Sequence, residues 1–126
     1  MSALYAGIGC RRGCPAEEIL ALIARALAEV GAAEVTALAT LEQKRHEAGL
    51  SEAAERLNKP LHYLSTEALA SAEAKIETRS EAAARALDLV SVAEAAALAA
   101  AGPDSRLRLP RIQSERATCA LAEATS

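Results

Sequence analysis

Residues 7–19, GIGCRRGCPAEEI, set two arginines, three glycines and two cysteines between an apolar run and a helical pattern. Such residues can serve a nucleotide loop, a metal site, a nucleophilic thiol or an anion cradle. The nucleotide reading fails on spacing: the glycines follow G-x-G-x-x-x-G, not G-x-G-x-x-G, and no G-x-x-x-x-G-K-[ST] occurs in the chain. No clear acidic residue ends the second apolar run, where a ribose partner would stand. Metal binding fails on ligand supply. Cys10 and Cys14 are four apart, Cys119 comes late, and His46 and His62 lie in unrelated segments, so neither a metal nor a cofactor is expected.

A nucleophilic Cys14 would stand near a helix N-terminus and two arginines, both of which lower a thiol pKa. Catalysis also needs a positioned base, and neither histidine is assignable to that role. On the plainer reading, Cys14 merely starts a helix and Cys10 packs behind the loop. Anion recognition uses more of the stretch. Free N–H groups of a helix start, together with a glycine-rich turn, cradle a carboxylate or phosphate. Arg11 and Arg12 add fixed charge and bidentate donors, with Gly9, Cys10 and Gly13 supplying the surrounding backbone. Adjacent arginines on a turn point in different directions, so one can bind ligand while the other pairs with a local glutamate. The alternative is a pair of solvated arginines beside Glu17 and Glu18. Physical reasoning leaves the anion unnamed.

The elements that must position this turn follow from pattern. ALYAGIG (3–9) reads as a short buried strand ending in glycines. Pro15 suits a first helical position, Glu17 and Glu18 suit the positive end of a helix dipole, and Ile19, Leu20, Ile23, Leu27 and Val30 form an apolar stripe that Gly31 closes. EVTALATL (34–41) and LHYLS (61–65) are the second and third strands, with a helix between them from Ser51, its N-cap, to a stop at Asn58-Lys59-Pro60. A short helix over 65–74 follows; residues 76–89 are ambiguous, with Ser80 a possible cap. A further helix over 91–102 is capped by Ser91 and ended by Gly102-Pro103. SRLRLPRI and ERATCALAEA alternate polar and apolar residues across a turn at Gln113-Ser114, as in an antiparallel hairpin with one wet face, and Pro110 marks an edge or bulge. Strands alternating with helices and then a hairpin predict an α/β protein on a mostly parallel sheet with helices on both faces. The abundant alanine permits close helix–sheet packing.

Totals narrow the function. The 126 residues, with no internal repeat or long linker, suit one domain over 1–126. A net charge of −3 and only two aromatic residues, both Tyr, argue against a nucleic-acid partner. Three cysteines make no disulfide framework and suit a reducing cytoplasm. The N-terminus lacks a signal-peptide pattern, and no window reaches the roughly 18–20 apolar residues of a membrane span, so a cytoplasmic protein with no membrane partner is expected.

Several stretches, in order, carry a resemblance. GIGCRRG followed by AEEI, then TLEQKRHEAGLSEAA, LHYLSTEAL, VSVAEAAALAAAG and TCALAEA resemble the CobE/CbiG C-terminal domain family of cobalamin biosynthesis along nearly the whole chain. Standing alone, the domain resembles the family's separate members in the oxygen-dependent pathway more than those fused behind other domains. The resemblance implies a three-layer α/β/α sandwich on a mixed five-stranded sheet. It implies a partner that is a corrinoid or precorrin intermediate, bound or presented through its carboxylates, with other cobalamin-biosynthesis enzymes as further candidate partners. Arg11 and Arg12 are suitable donors for acetate and propionate groups, and Lys44, on the loop after the second strand, adds another positive group. The alternative is a hydrolase opening the δ-lactone of a precorrin-type intermediate, with Glu47, Lys44 or Cys14 as candidate catalytic groups. Glu47 could also orient Lys44 or form a plain surface ion pair, and Glu94 is read as a dipole-stabilised or capping residue of its helix. The family commonly has Thr or Ser where Cys14 stands, which would forfeit a hydroxyl cap worth about 1 kcal/mol. It often has lysine in place of Arg111, which keeps the charge and changes its geometry.

Overall fold

The computed structural model describes residues 3–44, 46–68, 92–102 and 104–124. In chain order the elements are β1 (Leu4–Cys10), α1 (Ala16–Val30), β2 (Ala37–Leu41), a 3-10 turn (Glu42–Lys44), α2 (Ala48–Leu57), β3 (Leu61–Leu64), α3 (Val92–Ala101), β4 (Arg106–Gln113) and β5 (Ala117–Glu123). The remainder of the 65–74 helix, the 76–89 stretch with Ser80, and the Ser91 cap lie outside the described residues. Ser65 does cap the helical turn at 66–68, its hydroxyl accepting the Ala68 N–H at 3.1 Å.

The sheet runs β3-β2-β1-β5-β4. β1 pairs in parallel with β2 and β2 in parallel with β3, while β5 is antiparallel to both β1 and β4. The sheet is mixed, as expected, with its pairings divided evenly between the two kinds. Burial explains the division. β5 is buried over most of its length and belongs inside the sheet, whereas β4 alternates exposed and half-buried residues and carries Pro110, features an edge tolerates. Had β4 entered beside β1 it would have run parallel to it; β5 takes that place and makes the pairing with β1 antiparallel as well as that within the hairpin. The bulge expected near Pro110 is present: register shifts fall between Leu107 and Leu109 and between Leu109 and Ile112.

Helices cover both faces. Ala6, Ile8, Leu38, Cys119 and Leu121 pack against Ile19, Ile23 and Leu50 of α1 and α2. On the opposite face Ala39 and Ala122 meet Ala95, Ala96, Ala97 and Leu98 of α3. The small residues let α3 lie close on the central strands.

Two of the predicted helix stops, Gly31 and Asn58, are left-handed caps. Gly31 has φ +70, with its N–H on the Ala28 carbonyl and the next N–H on Leu27; Asn58 repeats the arrangement at φ +57 with Glu55 and Ala54. The starts differ from the sequence reading. Pro15 occupies the N-cap of α1 in extended conformation, one residue before the first helical position. α2 begins at Ala48 instead of after Ser51, with Glu47 at its N-cap. The cause is a packing contact that periodicity does not register: a Cβ on Gly49 would stand 2.1 Å from the Cys14 carbonyl oxygen, so the first turn of α2 closes directly on the β1–α1 turn. No helix among the described residues is long and apolar enough to cross a membrane.

Candidate anion-binding cleft

β1 is the strand where the chain's paths diverge. It leads through α1 on one face to β2, and it receives β5 on its other edge below α3. Open α/β sheets bind ligands at such switch points, outside the carboxyl ends of the strands. Here an open cleft of about 620 Å³ lies at that end. Gly9 and Cys10 contribute from the end of β1, Arg11 from the turn after it, Leu41 and Lys44 from β2 and its 3-10 turn, and Val92 from α3. The opposite wall is the β4–β5 turn and the start of β5, residues 113–118. Among the described residues of the lining, Glu115 is the carboxylate, against the cations Arg11, Lys44 and Arg116.

Of the residues singled out from sequence, Gly9, Cys10, Arg11 and Lys44 therefore come together. Arg12 and Gly13 lie exposed on the same turn, outside the lining. Gly13 takes φ +80, which only glycine adopts freely, and its N–H donates to Glu47 Oε1 at 2.8 Å. The turn is closed by the Cys14 N–H on the Arg11 carbonyl at 3.1 Å, and the Arg11 N–H donates to the Arg116 carbonyl at 2.8 Å.

Glu17 and Glu18 do not partner Arg11 or Arg12. Glu17 pairs with Arg56 at 3.0 Å and Glu18 with Arg116 Nε at 2.9 Å. Among the described residues, Arg11, Arg12 and Lys44 have no ion-pair partner. Glu47 likewise holds the backbone of the arginine turn. Its own N–H donates to the Lys44 carbonyl at 3.0 Å, so this residue fastens both cation-bearing loops to the start of α2.

Cys14 is corrected on two counts. It precedes the N-cap Pro15, so the question of a hydroxyl cap does not arise at its position, and it is 2 % exposed in the core under α1 and α2. Its thiol pKa is raised, not lowered, by burial first and then by Glu18; Arg116 opposes the shift only in part. Burial also pushes Cys10 up to about 11 against the pull of Lys44, and Cys119 up to about 12.

Sequence reasoning missed the β4–β5 turn as a wall of the cleft. Its residues read only as a polar hairpin loop, and they reach the site because β5 lies beside β1. Thr118 donates to the Gly9 carbonyl at 3.4 Å, and the Glu18 carboxylate accepts the Ser114 hydroxyl and the Arg116 N–H. Glu94 also departs from its reading. It is 1 % exposed and accepts the Arg111 N–H at 3.1 Å, beside the Pro110 bulge, so it serves the sheet edge and not only its own helix.

A small α/β/α domain with a cationic cleft at the carboxyl end of its central strand is the class that fold and site define. Residues 4–122 match the model of the cobalamin synthesis G C-terminus family, and the chain belongs to that family of cobalamin biosynthesis proteins. It is 34% identical over 123 residues to Protein CobE of Sinorhizobium sp, covering 96% of this chain and 80% of that one. Among solved structures it resembles CobE, a protein from the cobalamin (vitamin B12) biosynthetic pathway, at 41% identity and TM-score 0.85, over 99% of this chain and 96% of the other. It also resembles cobalamin biosynthesis protein chiG from Agrobacterium tumefaciens str. C58 at 40% identity and TM-score 0.80, over 98% of this chain and 100% of that one.

Proposed function

We propose that this protein binds, and carries or presents, a carboxylate-rich corrinoid or precorrin intermediate, with the acid side chains of the macrocycle seated in the cleft. The observation that carries this reading is the convergence of Arg11 and Lys44, neither with an ion-pair partner among the described residues, on a cleft that also offers Gly9, Leu41, Val92 and Ala117. A corrinoid is an apolar ring fringed with acetate and propionate groups, which matches fixed cations above apolar lining. An open cleft takes an edge of such a ring. Charged donors toward a carboxylate are the stronger class of hydrogen bond, and Arg11 offers a planar fork.

Spectroscopic titration with hydrogenobyrinic acid tests the reading. Saturable binding that weakens in Arg11→Ala and Lys44→Ala is the expected result; no binding by the wild-type protein overturns it. The hydrolytic alternative has little support among its candidate groups: Cys14 is buried with a raised pKa, and Glu47 is engaged by Gly13. Conversion of a lactone-bearing precorrin by the wild-type protein, lost in Lys44→Ala, would put that alternative in place of a carrier.

A further inference from the structure

We infer that Arg116 is a third anion ligand of the cleft and that Glu18 is its positioning residue; this rests on the carboxylate-binding reading above. Glu18 stands in the first turn of α1, and its side chain is only 14% exposed. Its carboxylate receives three donors from the β4–β5 turn: the Ser114 hydroxyl, the Arg116 N–H at 2.6 Å and Arg116 Nε at 2.9 Å. The last two come from one residue, so a single carboxylate holds both the backbone and the guanidinium of Arg116.

This bond does not exhaust the arginine. A guanidinium is a planar fork with donors on two edges; Glu18 takes Nε, and among the described residues the Nη groups have no protein partner. The side chain is 45% exposed and lines the cleft with Arg11 and Lys44. An incoming carboxylate can take the Nη edge while Glu18 keeps the Nε edge, with the guanidinium shared between two acids. The turn is held at other points as well. The Ser114 N–H donates to the Ala117 carbonyl, and the Arg11 N–H donates to the Arg116 carbonyl, each at 2.8 Å. A cation already ordered loses less side-chain entropy on binding than a free surface arginine, and this is the benefit assigned to Glu18.

A double-mutant cycle, read by titration with hydrogenobyrinic acid and with its a,c-diamide, separates the roles. Arg116→Ala weakens binding of the full acid by about tenfold, the loss of one charge-assisted contact. Arg116→Gln, which retains the backbone bond to Glu18, weakens it similarly and serves where Ala loosens the turn. Glu18→Gln weakens binding in the wild-type background and has no further effect in the Arg116→Ala background. Glu18 acting only on the fold would instead weaken binding equally in both backgrounds, in step with its melting temperature, and that result overturns the positioning role. Affinity unchanged in Arg116→Ala and Arg116→Gln but lost in Arg11→Ala overturns Arg116 as a ligand and leaves the cleft reading intact. Absence of binding by the wild-type protein to either corrinoid removes the cleft reading itself. Equal affinity of the acid and the diamide, unaltered by Arg116→Ala, also overturns Arg116 as a carboxylate ligand.

Discussion

Gly7 of β1 lies directly beneath the backbone of Ala93 in α3: a Cβ built on Gly7 would stand 1.9 Å from the Ala93 carbonyl oxygen and 2.6 Å from the Ala97 nitrogen. A backbone atom cannot swing aside as a long side chain can. Gly7→Ala must therefore lift α3 off the central strand and disturb the alanine layer around Ala95, Ala96 and Ala97. The expected destabilisation is at the upper end of the usual overpacking cost, about 3 kcal/mol. Urea denaturation measures it, and a loss no larger than that of an average surface substitution would show that the helix does not sit this close.

The two arginines of the turn separate in the structure, and binding should separate them too. Arg11 lines the cleft and Arg12 does not. Arg11→Ala is expected to weaken binding of hydrogenobyrinic acid by about tenfold, whereas Arg12→Ala changes it less than threefold, the scale of a screened surface charge. Equal losses would place both side chains on the ligand. The same titrations at rising salt give a shallower dependence for Arg11→Ala than for the wild-type protein.

The cysteines should behave as protonated, slow thiols. Cys10 is pushed up to about 11 and Cys119 to about 12, and Cys14 is raised by burial. Since the thiolate is the nucleophile, iodoacetamide at neutral pH should alkylate all three more slowly than a free cysteine. Cys10, partly exposed, should lead and buried Cys14 and Cys119 should trail. Peptide mass spectrometry over time reads the order. Rapid modification of Cys14 would restore it as a candidate nucleophile.

Acid should loosen the β4–β5 turn. The Ser114 hydroxyl, and next the Arg116 N–H, hold the Glu18 carboxyl below its ordinary value of 4.5. A carboxyl with a lowered folded pKa binds its proton less tightly in the folded state. Its contribution to stability is complete above about 4.5 and is lost as the pH falls through the lowered value. Glu17, lowered by its own backbone N–H and then by Arg56, and Glu34, lowered by Lys59, act in the same direction. Melting temperature followed from neutral pH downward should fall below about 4.5. Glu18→Gln should melt lower than wild type at neutral pH and converge with it at the acid end. Parallel curves would mean that Glu18 contributes nothing through its charge.

Much of the framework was legible in the residues. The β1–α1 unit, the left-handed stops at Gly31 and Asn58, the Pro110 bulge and the close packing of the alanine-rich helix all arise from local causes. Apolar spacing, positive φ and a missing N–H are properties of a few consecutive residues. Half of the cleft was legible for the same reason: Gly9, Cys10, Arg11 and Lys44 follow strands that end at one side of a parallel pair, so their loops must meet.

The other half depended on where the chain returns. Glu18 chose Arg116, 98 residues away, over Arg12 only a few positions before it, and Glu47 chose the backbone of Gly13, 34 residues away, over the nearby Lys44 side chain. Neither choice follows from spacing, because a carboxylate binds the donors that the assembled layers bring within reach. The burial of Cys14 and the early start of α2 at Ala48, with Gly49 against the Cys14 carbonyl, are likewise products of one helix closing on another. The sequence by itself determined the strand–turn–helix, its cations and the hairpin. Tertiary structure alone inserted β5 beside β1, thereby making a hairpin turn into the far wall of the cleft, because β5 is the more buried strand of the hairpin and the half-exposed β4 is left at the edge.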